Sequence, residues 1–321
     1  MDIGSVNASL ALWAETRGGT ATLINVSENH TFRIDLPTGS RFILRVHRPG
    51  YQSAAAIKSE LEWLSTLRDE TTLPVPRPLP GRDGALLQEL RPKTGASRRA
   101  VLFAYEPGIE PQPEDDLGDL FETLGRFAAI AHLQAMRFTP SASFSRPVWN
   151  AGAILDASGL WGDWRRAPHV EGDVATTLAA LDSRLRADLA AYGEGRDRFG
   201  LIHADMRLAN LLVDGEHVTL IDFDDCGFCW FLYDFAAAIS FFEDSASIPA
   251  LKRRWLSGYE AIRPLSAPDR AMLETMVLLR RMALLAWIGS HAETALAQSH
   301  AAKFAAITAE LAVPYLDRRR P

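Results

Sequence analysis

The chain has 321 residues, 47% hydrophobic and 23% charged, with a formal net charge of −6. That length is too great for one comfortable core and suits two lobes, and the composition is that of an ordinary globular protein. The negative charge argues against a nucleic-acid binder, which needs a basic face, and no apolar run reaches the ~18–20 residues that span a bilayer.

The opening stretch "MDIGSVNASLALWAETRGG" has an acid at Asp2 and no basic region, so it reads as a poor signal peptide. "TATLINVS", "HTFRIDLP" and "RFILRVHR" are β-rich runs, the last two joined by the turn residues Pro37, Thr38 and Gly39. A helix is expected in "SAAAIKSELEWLSTLRD", where Ile57, Leu61, Leu64 and Leu67 fall at helical spacing. The proline-rich connector "LPVPRPLPGRDG" follows, then two further strands in "ALLQEL" and "AVLFAYEPG". Five strands and one helix thus precede residue 106, a small antiparallel lobe assigned to residues 1–104.

Residues 105–321 read as mainly helical. "EDDLGDLFETLGRFAAIAHLQAM" lines up Leu117, Leu120, Phe121, Leu124 and Ala128 on one face, and "ATTLAALDSRLRADLAAYG" closes on Gly193. Further helices are expected over 232–243, 249–262 and 268–311, the last broken near Gly289; its apolar part is interrupted by Arg280 and Arg281. The exception is 201–225, "LIHADMRLANLLVDGEHVTLIDFDD". There a hairpin turning at "DGEH" follows Asn210 and delivers Asp222.

That stretch gathers His203, Asp205, Asn210, Asp222, Asp224 and Asp225. Carboxylates packed so closely repel one another unless a cation or a reaction requires them. Phosphoryl transfer from ATP fits, because it needs positioning and charge neutralisation more than covalent chemistry. One carboxylate must orient the attacking hydroxyl and take its proton, and Mg²⁺ asks for a few oxygen ligands.

His203-Ala-Asp205-Met-Arg-Leu-Ala-Asn210, then a hairpin and Asp222, resembles the catalytic machinery of protein kinases and their small-molecule relatives. The chain is most similar to the aminoglycoside phosphotransferase and choline kinase superfamily. Within it "ENxxFR" (Glu28–Arg33), "LRVHRPG" and "GYEAIRPLS" look like homoserine kinase type II and related phosphotransferases. The resemblance implies an α+β, protein-kinase-like bilobal fold: a β-rich, nucleotide-binding N-lobe with one helix, and a larger helical C-lobe. It implies that Asp205 orients the acceptor hydroxyl, that Asn210 and Asp222 hold Mg²⁺, and that Arg207 meets the transferred phosphate. His203 becomes a hydrogen-bonder of the loop, Asp224 or Asp225 an aid to the metal or the loop, and Asp234 a helix cap and brace.

On the nucleotide side, the resemblance places Ser27 and Asn29 in the turn that covers the phosphates and Ala104 to Glu106 at the adenine. It places Arg45 where the pattern has a lysine, and arginine, though bidentate and always charged, is not interchangeable with lysine. Arg45 needs a glutamate from the following helix. Glu60 lies inside the arc of Ile57, Leu61, Leu64 and Leu67, whereas Glu62 lies roughly 150° from its centre, so Glu60 is the expected partner. Trp230, Trp287, His291 and Glu293 are candidates for the acceptor pocket.

Cys226 and Cys229 form a C-x-x-C without the second ligand pair of a zinc site or the βαβ setting of a redox motif, and are expected to be incidental thiols of a cytosolic protein. The expected activity is ATP-dependent transfer to the hydroxyl of an amino alcohol, a homoserine-like metabolite or an aminoglycoside. A protein serine/threonine kinase is the competing expectation, but it would carry an activation segment and an A-P-E landmark, and "DDCGFCWFLYDF" leaves little room for them. A nucleotide-binding pseudokinase would rest on Arg45 alone.

Overall fold

The computed structural model describes residues 2–26, 29–92 and 95–318. The chain begins with helix α1 (Ile3–Ser9) and strands β1 (Thr20–Val26), β2 (Asn29–Asp35) and β3 (Arg41–His47). Helix α2 (Ala54–Glu70) and strands β4 (Pro78–Leu79), β5 (Gln88–Leu90) and β6 (Arg98–Ala104) follow. Then come α3 (Gly118–Arg137), α4 (Ala151–Leu155), α5 (Gly172–Tyr192), β7 (Phe199–Ile202), β8 (Leu211–Asp214), β9 (His217–Leu220) and β10 (Gly227–Trp230). Helices α6 (Tyr233–Ala238), α7 (Ile248–Glu260), α8 (Ala267–Ser290), α9 (Ala295–Ala301) and α10 (Phe304–Asp317) complete it.

The chain divides into two compact units. The first comprises Met1–Ile109 with Thr139–Arg146 and Leu212–Asp224, so the β8–β9 hairpin from far along the chain joins the N-terminal residues. Its sheet is antiparallel, ordered β1-β2-β3-β6-β4, with β5 also paired to β6. The sixth strand, β4, lies inside the proline-rich connector that sequence reads as loop. Pro78 lacks an N–H, and β4 ends the sheet, where no further strand asks for one. One sheet face packs Phe32, Ile34, Leu44 and Val46 against Val6, Leu10 and Trp13 of the N-terminal segment. Strand alternation turns Arg45 and His47 to the other face, where α2, capped by Ser53 Oγ accepting from the Ala56 N–H, buries Ile57, Glu60, Leu61, Leu64 and Leu67. The hairpin is tied in by Leu220 N–H donating to Pro74 O (3.0 Å) and by the reciprocal bonds between Ile109 and Val213.

The second unit comprises Glu110–Phe138, Pro147–Leu211 and Asp225–Pro321. Helices α3 and α7 cross at Gly125 and Gly258; a Cβ on either would run into the backbone of the other helix, at Trp255 O and Glu122 O, so no larger residue permits this approach. Helix α5 ends as expected on Gly193, at φ 75°. The pattern over 268–311 is three helices, and that over 232–243 stops at Ala238. Strands β7 and β10 pair antiparallel on either side of residues 203–226, a ladder that the local pattern does not announce. Cys226 and Cys229 are buried; burial pushes the Cys229 thiol well up, and its Sγ donates to Trp149 O. Among the described residues no helix is long and apolar enough to cross a membrane.

Candidate active site

The first unit carries one set of groups. Arg45 Nη2 donates to both Glu60 oxygens at 2.7 Å, and its Nη1 reaches Asp222 Oδ1 at 3.3 Å. Glu62, the competitor, turns away and accepts from the Ser141 N–H and hydroxyl. Burial works against the Arg45 charge, yet Glu60, Asp224 and Asp222 together raise its pKa above the ordinary value. Asp222 adopts φ 60°, a left-handed conformation that is costly for a residue with a Cβ, and its side chain is about half exposed. Two residues on, Asp224 is buried and accepts from Asn29 Nδ2 at 2.9 Å. Burial pushes its carboxyl up to about 7, with Arg45 pulling down and Glu60 and Asp222 pushing further up.

Five polar atoms of this cluster are buried without a hydrogen-bond partner: Asn29 Oδ1, Arg45 Nε, both ring nitrogens of His47, and Asp224 Oδ1. Such a concentration is unusual for a finished core and fits groups arranged for oxygen ligands or water. His47 is held neutral by burial and then by Arg45, Arg99 and Arg146, with its pKa near 2. A base whose folded pKa is depressed contributes stability that is present above its unfolded value, about 6.5, and is lost as pH falls toward the folded one. His47→Phe is therefore expected to flatten the acid side of the stability curve. The wild type should lose up to about 1.4 kcal/mol per pH unit more than the variant below pH ~6, read by denaturant unfolding.

The second unit carries the loop after β7. Asp205 is nearly enclosed: its Oδ1 accepts from Arg280 Nη2 (2.6 Å), and its Oδ2 accepts from Arg207 Nε (3.0 Å) and Asn210 Nδ2 (2.8 Å). Burial alone would raise its carboxyl, but Arg207, then Arg280 and His203, outweigh it and hold the group below its ordinary value. Asn210 gives its Nδ2 also to Asp205 O (2.8 Å), which leaves the amide oxygen as the atom turned to other partners. His203 Nδ1 accepts from the Asp205 N–H (3.2 Å), a hydrogen bond within the loop.

Asp234 makes no helix cap. Its carboxylate accepts instead from the Ala204 N–H (2.8 Å) and the His203 N–H (3.3 Å), and meets His132 Nε2 at 3.0 Å, whose Nδ1 meets the Tyr259 hydroxyl at 2.9 Å. His132 and Arg280 are the residues sequence reasoning missed. The available signal was a charge on the buried side of an apolar helix.

The remaining candidates scatter. Ser27 lies outside the described residues. The Ala104 N–H, expected at the adenine, donates instead to Arg77 O (2.9 Å), and burial raises the Glu106 carboxyl. Trp230 is a core residue whose Nε1 donates to Gly193 O, and Glu293 is exposed. Trp287 and His291 stack at 5.1 Å and remain half-buried, with Phe241, itself at φ 76°, beside Trp287. Asp225 offers its carbonyl to Trp149 Nε1 at 3.1 Å.

Among the described residues no three His, Cys, Asp or Glu side chains form a metal cluster. The hard oxygen donors nearest the expected pattern are the Asp222 carboxylate and the Asn210 amide oxygen.

The sequence model of the "Phosphotransferase enzyme family" (APH) matches residues 20–265. A structure of a microcompartment-associated aminopropanol kinase is similar over 99% of this chain and 98% of that one, at 39% identity and a TM-score of 0.89. The homoserine kinase of Acidiphilium cryptum is 30% identical over 78% of this chain and 73% of its own. An amicoumacin kinase solved with AMP-PNP, Ca²⁺ and its antibiotic shares the fold at 20% identity, with a TM-score of 0.77 over 99% and 94% of the two chains. The alignments cover only 63% and 59% of the length of other curated relatives, an uncharacterized Synechocystis protein and a Bacillus subtilis amicoumacin kinase.

Proposed function

The chain belongs to the phosphotransferase enzyme family, and from that premise we propose that it transfers the γ-phosphate of ATP to a hydroxyl of a small molecule, an amino alcohol or a homoserine-like metabolite before an aminoglycoside. The observation that carries the reading is Asp205. A carboxylate held by two guanidiniums and an amide, on a turn braced by Asp234, has the fixed aim that orienting a hydroxyl requires.

Asp205 would align the acceptor hydroxyl and take its proton as the new O–P bond forms and the bond to the bridging oxygen breaks. Arg207, from the same loop, would neutralise the moving phosphoryl group. Arg45, braced by Glu60, would grip the non-transferred phosphates, with Asn29 and the Tyr105–Glu106 backbone completing the nucleotide contacts and residues 1–104 as the nucleotide-binding portion. Asn210 and Asp222 would each offer an oxygen to Mg²⁺. A bound divalent ion offsets triphosphate charge. The amicoumacin kinase solved with AMP-PNP and Ca²⁺ supports a nucleotide and divalent ion for this fold. A cytoplasmic location is part of the same proposal, supported by two buried cysteines that are not joined in a disulfide.

Between Asp222 and Asp234 the chain is occupied by β10 and the start of α6, which speaks against an activation segment and hence against the protein-kinase alternative. Because Arg45 reaches Glu60 with Nη2 and Asp222 with Nη1, two directions that one ammonium cannot serve in the same way, Arg45→Lys is expected to raise the KM for ATP about tenfold; unchanged kinetics would mean this side chain does not touch phosphate. The function itself is tested by ADP release with ATP and Mg²⁺ over a panel of 1-amino-2-propanol, homoserine, choline, an aminoglycoside and casein. The reading expects turnover on an amino alcohol or homoserine. Release on casein alone would replace it.

A further inference from the structure

We infer that Arg280 is a positioning residue for phosphoryl transfer, holding both the Asp205 carboxylate and the strained turn that presents it. The inference rests on Asp205 being the hydroxyl-orienting group proposed above.

Helix α8 is largely apolar where it is buried: Leu278, Leu279, Met282, Ala283, Leu284 and Leu285 surround Arg280 and the equally buried Arg281, which pairs with Glu243. A guanidinium among them is costly to desolvate unless each donor finds an acceptor. Here each of its nitrogens has one. Nε donates to Ser240 Oγ (3.0 Å), Nη1 to Ala204 O (3.2 Å) and Nη2 to Asp205 Oδ1 (2.6 Å). The rings of Trp161 and Tyr233 lie 5.2 and 5.7 Å from the guanidinium carbon and complete its surroundings.

Two of those three acceptors belong to the catalytic turn itself, and this separates Arg280 from a core arginine that merely satisfies its own charge. Ala204 sits at φ 66°, a left-handed conformation that is unfavourable for a residue with a Cβ. Its N–H is held from α6 by Asp234 and its C=O from α8 by Arg280, so the turn is fixed at both ends of one residue. The next residue is Asp205, whose carboxylate the same guanidinium grips. A planar fork that reaches backbone and side chain together sets the direction of the carboxylate as well as its place. Arg207 differs: it lies in the loop, about a third exposed, and meets the carboxylate at Oδ2. The division is physical, with Arg280 built into the core and Arg207 at the edge of the loop.

The test is a mutant cycle of Arg280→Met with Asp205→Asn, read as ADP release with ATP, Mg²⁺ and the amino-alcohol panel named above. Arg280→Met alone is expected to lower kcat about a hundredfold with the KM for ATP within about twofold, as small misplacements of a catalytic group do. Added to Asp205→Asn, it should produce no further loss, because it acts through a carboxylate no longer there. If Arg280→Met shows no cooperative thermal transition, Arg280→Lys takes its place. It keeps the charge but not the fork, and is expected to lose about tenfold in kcat with the same non-additivity. A kcat within twofold of wild type, or an equal loss in both backgrounds, overturns the inference. Turnover retained by Asp205→Asn itself, or a wild type that releases no ADP, overturns instead the reading on which it rests.

Discussion

Replacing Asp205 by asparagine is expected to lower phosphoryl transfer about a thousandfold while leaving nucleotide affinity within about twofold of wild type. The substitution keeps the size of the side chain and one acceptor oxygen. It removes the proton acceptor and the negative charge that Arg280 and Arg207 address. An amide must also offer an NH₂ to one of two places now filled by donors, so it turns against either Arg280 or the Arg207–Asn210 pair. Arg45 and Glu60, the side chains assigned to the nucleotide phosphates, belong to the first compact unit and keep their ion pair in the variant, and Asn210 keeps its second bond, to the Asp205 carbonyl. Steady-state ADP release, together with calorimetric titration of Mg·ATP, separates the two effects. Near-full turnover in the variant would remove Asp205 from the chemistry.

The largest expected effect on stability comes from Glu60→Ala, at about 3–5 kcal/mol, because it strands a buried guanidinium. Arg45 and Glu60 are both almost wholly inaccessible, and Arg45 Nη2 lies 2.7 Å from both Glu60 oxygens. Asp222 and Asp224 also raise the Arg45 pKa and would recover part of the loss, which places the value toward the low end of that range. Replacing both partners by methionine should be far less damaging than either single loss, since no unpaired charge remains. Urea unfolding of the single and double variants measures this directly. A loss under 1 kcal/mol for Glu60→Ala would show that the other acids hold Arg45 without it.

What the sequence disclosed and what it hid divide along a physical line. His203, Asp205 and Asn210 stand at fixed short spacings, and Asp222 follows one hairpin later, so local geometry alone brought them to notice. Glu60 was separable from Glu62 because helical periodicity distinguishes a buried acid from one that reaches Ser141. Arg280 was visible only as an interruption in an apolar helix. Its partners lie 75 and 76 residues earlier, and no periodicity carries that distance. The same holds for Asn29 on Asp224, 195 residues apart, and for His132 on Asp234. Strand β4 was hidden by its proline, and β7 and β10 by shortness, since each four-residue run makes sense only beside the other. Asp234 shows the intermediate case: a position that reads as a helix cap is taken by a longer-range demand for the Ala204 and His203 amides.

The account depends most on the claim that these acids and amides serve a divalent ion and a triphosphate. Calorimetric titration of ATP into the protein, with and without Mg²⁺, in wild type and Asp222→Ala, tests it most directly. Saturable binding that strengthens with Mg²⁺ in wild type and loses that dependence in the variant is the predicted result. Binding indifferent to the metal, or equal in both proteins, would contradict it.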